Sequence, residues 1–327
     1  MNIAIIGCGL IGQKRAKTLA ATGSHLVACV DQIKERAENL AKQYPNCAAY
    51  TDWRDVMKRT DIDAVIISTL HASLAEIGLA AVSAGKHILM EKPAGRRASE
   101  LNPIIAAANE TGALIRVGFN HRYHRAFRKA RELVDQNELG DLMFLRARYG
   151  HGGRVGYDKE WRAQPELSGG GELIDQGVHL IDLARWFLGD FTDIQGHAHT
   201  YYWDMPVDDN GFLMLKTPKK QVAFLHASCT EWKNTFSFEI YGQRGKIDIN
   251  GLGGSYGVER ISFYKMSEQM GPPETFIWEY PMADDSWEVE LAEFVEDIKQ
   301  KRQPSVGIHD AHAALTIVEE IYRISGL

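Results

Sequence analysis

Asp175 and His179 are the residues best placed by type and spacing to move a proton. They lie in the segment GGGELIDQGVHLID at residues 169–182. Residues four positions apart share one helix face, so the carboxylate can orient the imidazole, a pairing suited to general acid–base chemistry. The same spacing also occurs in surface hydrogen bonds and in half of a metal site. We predict that Asp175 orients His179, and we interpret Asp182, one turn further on, as a helix-surface carboxylate.

Lys92 is the second candidate for chemistry because it directly follows a short apolar strand, within Glu91-Lys92-Pro93. In open α/β sheets, ligands bind beyond the carboxyl ends of the strands. A lysine at that position can donate to a reacting hydroxyl or to a developing alkoxide. We predict that His179 is the base and that Lys92 hydrogen-bonds the same oxygen, with Lys92 as the immediate proton acceptor kept as the alternative.

Three polar residues end the preceding apolar run and are expected to line the same crevice as Glu91. They are Ser68, Thr69 and His71. His71 suits a surface position equally well.

A glycine-rich loop, GCGLIG at residues 7–12, follows the first apolar run and opens a helical pattern. Gly7, Gly9 and Gly12 permit a tight turn and close approach of the backbone, including Leu10 and Ile11, to a pyrophosphate. Asp31 closes the next strand, about twenty residues on, where its carboxylate would accept the ribose hydroxyls and repel a 2′-phosphate. The pattern predicts a dinucleotide site that favours NAD over NADP.

A cluster of arginine and aromatic residues leads toward the Asp175 segment, and it is the evidence on substrate. Aromatic rings can stack on a ring of the substrate, and arginines can grip phosphate or carboxylate. The density of arginine and aromatic residues favours an anionic ligand. The alternative is that the arginines are solvated and the tryptophan belongs to the core. The predicted substrate contacts, besides Lys92 and His179, are Arg148, Tyr149, Arg154, Tyr157, Trp161 and Arg162, with support from Arg122, Tyr123, His124 and Arg125.

The elements that must position these residues fall into two halves. Up to residue 120, short apolar runs alternate with amphipathic helical patterns, which predicts a parallel sheet wrapped by helices, a Rossmann-type α/β domain. Residues 121–327 begin with a basic helix and continue with longer alternating runs, including one at 193–203, and end with two helices. That pattern predicts an α+β domain with a large, mostly antiparallel open sheet.

Composition excludes several classes of partner. The 327 residues carry a formal net charge of −6, which provides no basic field for nucleic acid or anionic membranes. The four cysteines show no metal-ligand or redox spacing, so we predict reduced thiols and no metal. No apolar run is long enough to cross a bilayer, and the first strand begins at once, so a cytoplasmic location is expected.

The glycine loop, Glu91-Lys92-Pro93 and the glycine-rich helix with Asp175 and His179 together resemble the Gfo/Idh/MocA family, over nearly the whole chain. The resemblance implies a Rossmann domain that binds NAD(P), a second domain that binds sugar-like substrates, and open sheets that pair into homodimers or homotetramers. It implies hydride transfer, with Lys92, Asp175 and His179 as the catalytic residues. One departure is that Thr69 is followed by Leu70, where the family often has proline, and Leu74 stands where it has histidine.

The arginine cluster further resembles relatives that act on nucleotide sugars, which implies oxidation of the ring C3 hydroxyl of a UDP-N-acetylhexosamine such as UDP-N-acetylglucosamine. A dehydrogenase for inositol or a free sugar is the alternative, with Arg148, Arg154 and Arg162 then holding structure. Two further alternatives are a glycosidase that borrows a hydride onto NAD, and a non-catalytic NAD-binding regulator. The last should have lost Lys92, Asp175 and His179.

Overall fold

The computed structural model describes all residues, 1–327, and divides the chain into two compact units. The first unit comprises Met1–Phe119 and Trp287–Leu315, and the second comprises Asn120–Ser286 and Thr316–Leu327. The sequence predicts instead that all of 121–327 belongs to the second domain. The difference arises because Leu291, Phe294 and Val295 are buried in the apolar core of the first unit.

The first unit is built on a six-stranded sheet in which every pair is parallel. Its strands are short, and because helices cover both faces of such a sheet, each central strand is mostly a run of buried apolar residues. The strand order is β3-β2-β1-β4-β5-β6, so the direction of winding reverses between β1 and β4. The strands are β1 (Asn2–Ile6), β2 (His25–Val30), β3 (Ala48–Tyr50), β4 (Ala64–Ile67), β5 (His87–Met90) and β6 (Ile115–Val117).

Helices connect these strands, which confirms the predicted Rossmann-type class. They are α1 (Leu10–Thr18), α2 (Lys34–Ala41), α3 (Trp53–Met57), α4 (His71–Ser83) and α5 (Asn102–Thr111). β3 and α3 are not evident from the sequence, because three and five residues are too few to establish a periodic pattern.

The second unit contains an eight-stranded sheet whose one parallel pair joins β7 and β10. The strand order is β14-β13-β12-β11-β7-β10-β9-β8, which confirms the predicted large, mostly antiparallel sheet. Its helices are α6 (Arg125–Asp135), α7 (Pro165–Ser168) and α8 (Val178–Leu188). Its strands are β7 (Leu142–Gly150), β8 (Asp193–His199), β9 (Asn210–Lys216), β10 (Val222–Ser228), β11 (Thr235–Gly242), β12 (Gly245–Asn250), β13 (Glu259–Lys265) and β14 (Glu274–Tyr280).

The strand predicted over residues 193–203 ends early, at His199. The chain turns there because the buried carboxylate of Asp209 accepts the backbone amides of Tyr201, Tyr202 and Trp203, at 2.9, 2.7 and 3.1 Å. Those amides are therefore not available for hydrogen bonds to a neighbouring strand. β14 also escapes prediction, because nearly all of its residues are exposed and its alternation is weak.

Two helices end the chain as predicted, α9 (Ser286–Gln300) and α10 (Ile308–Ser325). None of the helices combines the length and the apolar character that crossing a bilayer requires.

Candidate active site

The glycine loop at the carboxyl end of β1 is shaped as a phosphate-binding turn. Gly7 has φ +93°, and a Cβ there would lie 2.4 Å from the carbonyl oxygen of Ser68; a Cβ on Gly12 would lie 1.9 Å from the carbonyl oxygen of Gly7. Both positions therefore require glycine. A Cβ on Gly9 would meet nothing within 4 Å, so the space above it is open beside the start of α1. This cradle fits a dinucleotide pyrophosphate.

Asp31 lies immediately after β2, where the loop holds its carboxylate in place. The amides of Cys8 and Ile33 each donate to it at 2.9 Å. The carboxylate is partly exposed, so part of its acceptor capacity remains for a ribose. This geometry matches the predicted position at the end of the second strand.

The crevice residues of the first unit follow β4 and β5 as predicted. Ser68 donates from its hydroxyl to the carbonyl oxygen of Gly7 at 2.8 Å, which ties the end of β4 to the glycine loop. Thr69 is partly exposed, and His71 is buried at the start of α4, so His71 is not a surface histidine. Lys92 is half-buried after β5, and the Lys92–Pro93 peptide is cis.

A buried ion triad fastens the residue that precedes Lys92. The Arg15 guanidinium donates to Glu91 at 2.8 Å and to Glu290 of α9 at 2.5 Å, and it stacks on the Trp287 ring at 4.3 Å. Arg15 is fully buried; burial acts to lower its pKa, and the two carboxylates outweigh burial, so the pKa is raised. The side chain of Glu91 is thus a structural anchor, a role that the sequence did not reveal because Glu290 lies far along the chain.

Asp175 lies on a π-helical turn, Leu173–Gly177, directly before α8. The prediction of an ordinary helix is therefore corrected at this position. A π-turn has a wider ring than an α-helix and often marks a functional site. The Asp175 carboxylate accepts from Nε of Arg162 at 2.8 Å. Burial acts to lower the pKa of Arg162, but Asp175, together with Tyr157 and Glu160, outweighs burial, so the pKa is raised and the guanidinium remains charged.

His179 stacks on a second histidine that the sequence analysis did not single out. The rings of His121 and His179 are 3.7 Å apart at 17°, and both side chains are buried. Nδ1 of His121 lies 3.2 Å from the Asn120 side-chain oxygen, and Tyr149 packs at 5.3 Å from the His121 ring. The polar run at residues 120–124 could have identified His121 as a site residue, but the prediction treats this run only as part of a basic helix.

Glu172 is a second buried acid on the Asp175 segment, and it too was missed. Its side chain is fully buried, and burial raises its pKa. His151 lies 3.4 Å from it through Nε2, while Nδ1 of His151 accepts the Gly153 amide at 2.9 Å. The ring proton of neutral His151 therefore lies on Nε2, facing Glu172. The hydroxyl of Tyr157 lies 3.4 Å from the same carboxylate.

Each arginine of the predicted substrate cluster faces a carboxylate of the same unit. Arg154 pairs with Glu160 at 2.7 Å, and Arg162 with Asp175. Arg148, which is exposed, lies 3.8 Å from Glu231. Their charges are thus matched within the protein. Of the aromatic residues in the cluster, Tyr149 and Tyr157 are buried and Trp161 is half-buried.

The charged residues of the supporting polar run at 122–125 also pair with carboxylates of the same unit. Arg122 donates to Asp182 at 2.8 Å, His124 lies 2.6 Å from Glu259, and Arg125 lies 2.8 Å from Asp285. Asp182 is fully buried, so its interpretation as a helix-surface carboxylate is wrong. A buried carboxylate requires a partner, and Arg122 supplies it.

Comparison with known proteins decides the family. Residues 1–119 match the model of the "Oxidoreductase family, NAD-binding Rossmann fold", and residues 127–248 match that of the "GFO/IDH/MocA C-terminal domain". The chain belongs to the Gfo/Idh/MocA oxidoreductase family. Both halves of the chain match the same family, which confirms the resemblance, the enzyme class and an NAD-binding Rossmann domain.

This Gfo/Idh/MocA protein is similar to two characterised enzymes. It is 26% identical over 286 residues to levoglucosan dehydrogenase of Pseudarthrobacter phenanthrenivorans, covering 76% of this chain and 73% of that enzyme. It is 29% identical over 255 residues to dTDP-3,4-didehydro-2,6-dideoxy-alpha-D-glucose 3-reductase of Streptomyces violaceoruber, with coverage of 76% and 72%. A solved structure of levoglucosan dehydrogenase in complex with NADH shares its fold, with a TM-score of 0.91 at 22% identity, covering 100% of this chain and 97% of that one.

Proposed function

We propose that this protein is an NAD-dependent dehydrogenase that oxidises a secondary hydroxyl of an uncharged sugar or cyclitol. The observation that carries the choice of substrate is the pairing of Arg148, Arg154 and Arg162 with carboxylates of their own unit. A diphosphate would have to displace those carboxylates and leave them unpaired, at a cost of several kcal/mol for a buried one such as Asp175. The levoglucosan dehydrogenase relative, named for a neutral anhydro-sugar, agrees with this choice.

The glycine loop and Asp31 would hold the cofactor, with Gly7, Gly9, Leu10, Ile11 and Gly12 against the pyrophosphate. Leu10 is 73% exposed at the start of α1, so its apolar side chain is accessible to a bound cofactor. Ser68, Thr69, His71, Glu91 and Lys92 would line the nicotinamide end. When bound there, NAD would supply the hydride acceptor for oxidation of the carbon that carries the hydroxyl.

The chain's own residues would handle the proton of that hydroxyl. We assign His179 as the base, and Asp175 as the carboxylate that orients it and stabilises its protonated form. Lys92 would hydrogen-bond the oxygen and stabilise negative charge as it develops. Lys92 as the immediate acceptor is the rival assignment. Tyr149, Tyr157 and Trp161 would contribute walls to the sugar site.

A nucleotide sugar is the second candidate, and two observations favour it. One relative is named for a dTDP-sugar, and Arg148 is half exposed with its carboxylate 3.8 Å away, so it can turn to a phosphate at small cost. Oxidation of UDP-N-acetylglucosamine at C3 is the specific form of this candidate.

The deciding experiment follows the absorbance of reduced nicotinamide after the protein is mixed with NAD and one substrate. The substrates are levoglucosan, myo-inositol, glucose and UDP-N-acetylglucosamine, with hydrazine present to trap a ketone. We expect a signal with a neutral substrate and none with the nucleotide sugar. A signal with the nucleotide sugar alone would overturn the assignment to uncharged substrates, and release of a leaving group without net reduction would indicate a glycosidase.

We further propose a homodimer or homotetramer formed through the open face of the eight-stranded sheet. Phe144, Phe224 and Met214 are exposed on the adjacent strands β7, β10 and β9, at 37%, 49% and 46%. Apolar side chains clustered on one face mark an interaction surface. A cytoplasmic location is part of the same proposal, supported by the absence of redox or metal spacing among the four cysteines.

A further inference from the structure

Three aromatic side chains form a ridge at one end of the eight-stranded sheet, two of them exposed and the third, Trp203, half-buried. Tyr202 and Trp203 come from the loop between β8 and β9, and Trp232 comes from the loop between β10 and β11. Tyr202 is 61% exposed and Trp232 is 63% exposed, with ring centroids 4.6 Å apart at 82°. Tyr202 and Trp203 meet at 5.2 Å and 86°. Large aromatic residues grouped in water mark a site of contact with a ligand or partner.

The ridge is held in place by buried polar contacts. The fully buried carboxylate of Asp209 accepts the amides of both Tyr202 and Trp203. The indole of Trp203 donates to the carbonyl oxygen of Cys229 at 2.9 Å, which ties the two loops together. Trp232 has φ +55°, a left-handed conformation that is costly for a bulky residue. The surrounding structure thus fixes the exposed indole instead of leaving it on a loose loop.

The ridge is continuous with the Asp175 segment of the same unit. The Trp203 ring lies 5.6 Å from the ring of Tyr157, whose hydroxyl lies 3.4 Å from Glu172. The loop after β7 passes directly against the ridge, since a Cβ on Gly153 would lie 2.4 Å from the Trp203 ring. One aromatic ring, Tyr157, therefore separates the ridge from the buried acids. A ligand that contacts both the ridge and Asp175 would therefore need two separate rings.

We propose that the ridge is a subsite for a second pyranose ring, so that the substrate is a glycoside of at least two sugar rings. This inference rests on the proposed sugar dehydrogenase function and names its substrate class. Pyranose rings present apolar C–H faces that pack on aromatic rings, while their hydroxyls stay in water. The residues that flank the ridge in the sequence are Asp204, Glu231 and Lys233, two acidic and one basic, so this surface has no excess of positive charge to favour a phosphate.

The test compares one-ring with two-ring substrates in matched variants. The ratio of kcat/KM for a neutral disaccharide to that for its constituent monosaccharide is measured in the wild type, in Trp232→Ala and in Tyr202→Ala. We expect the wild type to favour the disaccharide, and each substitution to lower that ratio about tenfold, since one aromatic contact is removed. Tyr201→Ala is the control: Tyr201 is 62% exposed on the same loop but packs against His199, away from the ridge. It should leave the ratio unchanged.

Calorimetric binding of the disaccharide and the monosaccharide, without NAD, separates this inference from the proposed function. Weaker disaccharide binding in Trp232→Ala supports the ridge even if no tested sugar is oxidised. Equal ratios in the wild type and the variants would overturn it. So would a changed sedimentation coefficient in Trp232→Ala, which would make the ridge a subunit contact, or a loss confined to UDP-N-acetylglucosamine, which would assign it to a nucleobase.

Discussion

Asp31, which we propose as the ribose acceptor, is held in place by the protein itself. Its carboxylate is oriented by the amides of Cys8 and Ile33, so little ordering remains for recognition of a ribose. Asp31→Ala should weaken NAD binding roughly tenfold to a hundredfold and NADP binding far less, because a charge-assisted acceptor is lost. Fluorescence titration measures both affinities. Asp31→Asn keeps one acceptor oxygen and should reduce the preference for NAD over NADP. Equal weakening of NAD and NADP binding in Asp31→Ala would refute the assignment of Asp31 to the ribose.

Lys92 has a buried counterpart in the same unit that makes a matched comparison possible. Lys86 donates to the carbonyl oxygens of Arg59 and Ile62, at 2.6 and 3.2 Å, and lies at the opposite end of β5. Lys92→Met should lower kcat by roughly 10² to 10⁴ while NAD affinity stays within twofold, because in the proposed mechanism the lysine acts on the reacting oxygen. Lys86→Met should lower the melting temperature and spare kcat. Near-normal turnover in Lys92→Met would remove Lys92 from the mechanism.

Glu172 couples stability to pH. Burial raises its pKa, so the folded state binds more protons than the unfolded state in the window above about pH 4.3. The unfolding free energy of the wild type should therefore fall as pH rises through that window, relative to Glu172→Gln, which cannot titrate. Urea unfolding at several pH values between 4.5 and 8 gives the difference. A difference that stays constant across this range would show that Glu172 does not carry the effect.

At the scale of elements, α9 belongs to the machinery of the Rossmann-type unit although it lies near the end of the chain. It carries two buried arginine networks, one through Glu290 to Arg15 and Glu91, the other through Asp297 and Glu293 to Arg116 of β6. Only the network through Arg15 includes Glu91, the residue next to Lys92. We therefore regard Arg15 as a positioning residue for Lys92.

Arg15→Met and Arg116→Met test this assignment as a matched pair, because both arginines are fully buried. Arg15→Met should destabilise the protein by about 3 kcal/mol, since Glu290 is left buried without its cation. Arg116→Met should destabilise it by less, because Arg302 still pairs with Asp297. Only Arg15→Met should also lower kcat, with KM for the sugar nearly unchanged, when both are assayed well below their melting temperatures. A parallel loss of kcat in Arg116→Met would reduce the Arg15 effect to general destabilisation.

The π-turn at Leu173–Gly177 is the second element that shapes the site. On this turn the Asp175 carboxylate accepts from Nε of Arg162, which lies in the loop before α7. The spacing of four residues was sufficient to single out the pair. It was not sufficient to show which side chains each member meets, because those contacts come from distant segments.

At the scale of the whole molecule, the open sheet face makes a prediction about assembly. Phe224 and Met214 are direct cross-strand partners, so the double substitution Phe224→Glu with Met214→Glu places two charges at the centre of the exposed apolar patch. We expect sedimentation velocity to show an oligomer for the wild type and monomers for the double variant. Met270→Glu, in a fully exposed loop, is the control and should remain oligomeric. A monomeric wild type would contradict the proposed assembly.

The local sequence by itself determined the parallel sheet, the glycine turn and the residue types of the site. Glycines at 7 and 12 are dictated by contacts within a few residues or with the adjacent strand, and apolar runs report burial directly, so a single sequence carries that information. The strand end at His199 and the ion pairs of the arginines depend on how the loops fold. Asp209 and Glu160 bind groups of their own loops through irregular turns, and Glu231 reaches Arg148 from a different loop. The same holds for the His121 stack and the Glu290 anchor: charge and ring partners are chosen by folding, which brings together residues whose separation in sequence carries no signal.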